Sequence, residues 1–95
     1  MNRIFNIYNQ NNNDNKFKTI QNARMDIIGE LEAIIQYENH YNEISDMAAK
    51  NTISDIINEE MLHVGQLFGL LFSLSPITKT QFEKGVNEFN KNNNK

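Results

Sequence analysis

Cysteine is absent from the ninety-five residues, which removes disulfide frameworks, thiolate zinc sites and cysteine nucleophiles and fits a reducing interior. A basic excess is missing too. Nine Lys and Arg against twelve Asp and Glu leave a formal net charge of −3, and the cations are scattered along the chain. Without a positive field to neutralise phosphates, nucleic acid is disfavoured as a partner. No apolar run reaches the length of a membrane span, and residues 1–8 lack a secretory apolar core. The expected location is therefore the cytoplasm. Strand-like alternation of apolar and polar residues is also lacking, which leaves the helical periods uncontested.

What the chain has in excess is asparagine, concentrated in residues 6–15 and 87–95. Such stretches bury too little to offset the entropy of ordering. The expected organisation is a disordered extension over 1–16, a helical domain over 17–90 and a disordered tail over 91–95. A short apolar patch in the extension (Ile4, Phe5, Ile7, Tyr8) reads as a frayed end. The remaining roughly 70 residues are marginal for a solitary core, so a partner copy or a metal is expected to complete it.

Apolar residues recur at helical spacing from Phe17 to Ile44, through Ile20, Ile27, Ile28, Leu31, Ile34, Ile35 and Tyr41. Ser45-Asp46 then offers an N-cap oxygen, and a second period runs through Ile53, Ile56, Val64, Leu67 and Leu71 to about Ser73. Two long helices joined so tightly must fold back antiparallel. Ser75-Pro76 starts a third, shorter helix, outlined by Ile77, Phe82, Val86 and Phe89 and ending near Asn90. The second helix has a further apolar flank, Met61, Phe68 and Phe72 beside Gly65 and Gly69, which a single hairpin cannot cover.

The second helix carries the informative irregularity. Glu60 falls inside its apolar stripe, with His63 one turn on at the stripe's shoulder. An unpaired carboxylate in an apolar face costs several kcal/mol, roughly, unless something pairs with it. Helix one supplies the candidate: Glu30 lies as far before the turn near residue 45 as Glu60 lies after it, and it sits at the edge of the buried face. Tyr37, two turns further on, is placed either to donate a hydrogen bond to a ligand carboxylate or simply to pack. One hairpin thus offers two carboxylates and one imidazole, half of a two-metal carboxylate centre, and two copies about a twofold axis would complete it. Oxygen-rich ligation with one imidazole per metal favours iron or manganese over zinc.

Glu30 with Tyr37 seven residues on, followed by Glu60-x-x-His63, resembles one half of a ferritin or rubrerythrin bundle. The single-hairpin length is similar to that of encapsulated ferritins and related short ferritin-like proteins. The resemblance covers about residues 20–90. It implies an all-α fold, a long antiparallel hairpin plus a short C-terminal helix, dimerising into a four-helix bundle. It also implies Glu30, Glu60 and His63 as iron ligands, Tyr37 as their supporting residue and Glu32 as an acidic residue near metal entry. Homodimers assembled into a higher-order ring such as a decamer, within an encapsulin shell, follow from the same likeness. Gln36, where the best-known members have Trp, and the final Asn92-Asn93-Asn94-Lys95, unlike a shell-targeting peptide, depart from it.

The activity so implied is oxidation of Fe(II) to Fe(III) at a di-iron centre shared between subunits, for iron storage or detoxification. Two other classes stay open: a di-iron oxygenase or peroxidase of rubrerythrin type, and a helical interaction module that binds no metal and in which Glu60 pairs with His63 or a lysine. Glu38 falls inside the apolar face of helix one and reads as an accessory ligand, a step on an ion path, a carboxyl made neutral by burial, or a hydrogen-bonded interface residue. His40 and Glu59 read as surface groups.

Overall fold

A computed structural model describes the backbone of residues 12–93 and the side chains of residues 15–93, and among these every element is helical. Helix α1 spans Asn12–Glu43, α2 spans Met47–Leu74 and α3 spans Pro76–Asn93. Helix α1 begins five residues before the apolar period does, and α3 ends three residues beyond its expected stop. The disorder expected of the two ends falls, for residues 1–11 and 94–95, outside the described residues, as does the Ile4–Tyr8 patch. None of the helices is long and apolar enough to cross a membrane.

The turn between α1 and α2 is held by its own side chains. Asp46 is the N-cap of α2, its carboxylate accepting from the Ala49 amide at 2.9 Å. Lys50 reaches back across the turn, donates to the Tyr41 carbonyl at 3.0 Å and lies over the Tyr41 ring at 4.1 Å. A carbonyl in the last turn of α1, which has no partner within its own helix, is satisfied in this way. With the turn fixed, the register of the two long helices is fixed too, and Glu30 meets Glu60.

Ile20, Ala23 and Ile27 of α1 and Leu71 of α2 form the core, with Leu67, Phe68, Phe72 and Leu74 packed against it. It lies at the end of the hairpin away from the turn. Ser75 closes α2 through its amide to the Leu71 carbonyl at 2.9 Å, and it begins α3 by accepting from the Lys79 amide at 3.2 Å. The Phe82 ring then stacks on Phe68 and Phe72, with centroids 5.1 and 5.2 Å away. Part of the flank expected to await another chain is thus covered by α3.

The buried stripe of α1 is narrower than its apolar period. Ile28, Leu31 and Ile35, expected on the buried face, are 49%, 45% and 59% exposed. Glu38, expected among them, is exposed as well. One facing helix covers one stripe of α1, and the period extends beyond it. The chain is correspondingly flat, with extents of 54 × 40 × 21 Å and a radius of gyration of 17.9 Å, against about 12 Å for a compact domain of this length.

Candidate metal centre

Midway between the core and the turn, the hairpin register brings three polar side chains together. Nδ1 of His63 stands 3.5 Å from Oε1 of Glu30 and 3.8 Å from Oε1 of Glu60. Donor atoms of all three lie within 4.8 Å of one another. Helix α2 presents Glu60 and His63 from consecutive turns because they are three residues apart, and α1 contributes Glu30 from across the interface. Their side chains are 24%, 20% and 44% exposed for Glu30, Glu60 and His63, respectively.

The electrostatics are those of a site short of positive charge. Glu60 has its carboxyl raised above its ordinary value of 4.5, first by the hydrogen bond it shares with Glu30, then by desolvation and by the Glu30 charge; His63 opposes the shift. A neighbouring carboxylate favours the protonated form of Glu60 because two like charges this close repel. Oε2 of Glu30 is buried and has no hydrogen-bond partner among the described residues. A buried acceptor left unsatisfied costs about 1–3 kcal/mol. A small divalent ion bound at about 2.1 Å holds its donors about 3.0–3.4 Å apart. The two His63 spacings, 3.5 and 3.8 Å, need only slight closing to meet that requirement, and two hard oxygen donors with one imidazole are a donor set that suits such an ion.

The three residues form part of the wall of an open cleft of about 650 Å³ between α1 and α2. Met25 and Leu70 give it an apolar rim, while Asp26 and Gln66 add polar groups on the core-end side of the three side chains. The apolar period of each helix gives no weight to Asp26 or Gln66. Their one legible signal was helical spacing, four residues before Glu30 and three after His63. Tyr37, Glu32 and Glu38 do not line this cleft. Tyr37 is half-buried about 10 Å along the hairpin axis from the level of Glu30, where its ring meets His40 edge-on at 6.4 Å. Glu32 is exposed. Glu38 lines a separate cleft with Tyr41 and Ser54, nearer the turn.

The chain is similar to a ferritin-like-encapsulin shell fusion protein of Pyrococcus furiosus. The two are 33% identical over 73 residues, which cover 77% of this chain and 21% of that protein. The chain therefore spans about a fifth of the length of the relative it matches. No family model matches the chain, and no solved structure does.

Proposed function

We propose that two copies of this chain, related by a twofold axis, close their clefts on one another to form a di-iron carboxylate centre that oxidises Fe(II) to Fe(III). The observation that supports it is the convergence of Glu30, Glu60 and His63, with a buried oxygen of Glu30 unpaired, on the open side of a hairpin too flat to be a finished domain. Each copy then contributes half of the ligand set, four carboxylates and two imidazoles in all. Each Fe(II) gives up one electron. Dioxygen takes two electrons and two protons to leave as hydrogen peroxide, or hydrogen peroxide takes two of each to leave as two waters. A bound cation would offset the repulsion between the Glu30 and Glu60 carboxylates, which favour the ferric product as hard anionic donors.

The exposed apolar residues of α1 and α3 would join such dimers into a larger ring. The relative's name couples a ferritin-like part to an encapsulin shell. By that likeness, this assembly works in iron storage or detoxification within a cytoplasmic shell. Anaerobic Fe(II) titration followed by oxygen, comparing wild type with Glu30→Ala, Glu60→Ala and His63→Ala, tests the reading. Wild type is expected to bind one iron per chain, and each variant to lose at least about tenfold in oxidation rate. Three variants as fast as wild type would refute the site, and a wild type that takes up no iron would leave a metal-free helical module.

A further inference from the structure

Helix α3 is tied to α1 and α2 by the Phe82 ring and by the hydrogen bond from Arg24 to Thr78. Its first turns carry an open groove of about 450 Å³ lined by Ile77, Thr78, Gln81 and Phe82. None of these is charged, and Ile77 is 64% exposed. Four side chains are far fewer than the roughly 20–30 residues a side used by a stable contact between two folded copies. The groove therefore suits a short apolar segment.

The chain itself supplies one. Ile4, Phe5, Ile7 and Tyr8 form an apolar patch ahead of α1, and residues 4–13 carry no charged side chain, so nothing charged has to leave water when the patch is covered. Its reach also fits. The Arg24 hydrogen bond sets the groove level with Arg24 on α1, about 18 Å beyond Asn12 along the helix axis. With about 9 Å between neighbouring helix axes, the span from Asn12 to the groove is about 20 Å. An extended chain covers about 3.3 Å per residue, which takes Tyr8 about 13 Å from Asn12 and Ile4 about 26 Å, on either side of that span.

We propose that residues 4–8 fold back along α1 and dock in this groove of the same chain, their apolar side chains against Ile77 and Phe82. A segment held there pins the first two turns of α3. Val86 and Phe89 lie farther along the helix and stay free for contacts between copies.

The chain has no cysteine, so an introduced pair reports proximity directly. Asn6→Cys in the patch is combined with Gln81→Cys in the groove, or with Glu83→Cys, which lies two residues on and so about 200° round the helix. On mild oxidation of the full chain, the first pair is expected to close a disulfide of single-chain mass at least about tenfold faster than the second. Ile7→Asp should speed amide exchange at residues 79–85 about 5- to 10-fold, while α1 and α2 keep their protection and Ile7→Leu behaves as wild type. Equal rates for the two cysteine pairs overturn the proposal. A product of twice the chain mass also overturns it, since the groove then takes the patch of a neighbouring copy. So does an Ile7→Asp variant whose α3 exchanges as slowly as that of wild type.

Discussion

Glu60 is the residue whose protonation reports the state of the site. Its folded-state carboxyl is raised above 4.5, so Glu60 binds its proton more tightly in the folded apo chain than in the unfolded one. The resulting stabilisation is fully present below about pH 4.5 and is lost as pH rises through the raised value. Above that point the Glu30 and Glu60 carboxylates repel. Thermal unfolding of the apo protein between about pH 4 and pH 7 should therefore show a midpoint that falls with rising pH. Glu60→Gln should flatten the decline, and Co(II) should reverse it in wild type but not in the variant. An apo midpoint that is flat, or that rises equally in both proteins, would mean that folding does not raise the Glu60 carboxyl. Glu30, Glu60 and His63 were legible in the sequence because a three-residue turn leaves one register for the hairpin, and that register alone pairs them. Asp26 was not, because periodicity ranks residues by the apolar face they share and says nothing about an acidic residue bordering a concavity.

The start of α2 rests on a single side chain, and it was legible because caps act locally. Asp46 was readable as the start of α2, and its carboxylate satisfies the Ala49 amide as such a residue should. Asp46→Ala is expected to lower stability by about 1 kcal/mol, read as a shift of the urea midpoint with unchanged slope at fixed protein concentration. A loss near zero would mean that Lys50 and Tyr41 hold the turn without the cap. Helix α3 depends on one ring. Phe82 contacts Phe68 and Phe72, Arg24 donates to Thr78 at 3.3 Å, and residues 79–93 are otherwise exposed. Phe82→Ala should cost about 1–3 kcal/mol, less than a fully buried Phe because 44% of the residue remains exposed. Hydrogen exchange along residues 76–93 should accelerate while α1 and α2 keep their protection. The coverage of Phe68 and Phe72 by α3 was not legible, because the apolar stripes of both elements are equally consistent with contact within one chain or between two.

The whole molecule presents more apolar surface than one copy can cover, on two sides that differ in consequence. Around the cleft, Met25 and Leu70 are exposed at the rim of the ligand set. On α3, Val86 and Phe89 project beyond the last ring contact, and on α1 Ile28, Leu31 and Ile35 form a separate strip. A twofold contact is self-complementary and closes after two copies, so a second, distinct apolar surface is what would carry assembly past the dimer. The two surfaces should then fail independently. Leu70→Asp places a charge where the clefts meet; it is expected to yield a species of half the dimer mass in sedimentation equilibrium and to abolish tight Co(II) binding. Val86→Asp should leave dimers that bind Co(II) as wild type does while removing larger assemblies. If Leu70→Asp kept full metal affinity as a monomer, the three donors of one chain would suffice, and no twofold neighbour would be needed to complete the site. If Val86→Asp instead abolished Co(II) binding, the metal and the larger assembly would share one interface, and the separation of the two surfaces drawn from their positions on the hairpin would be wrong.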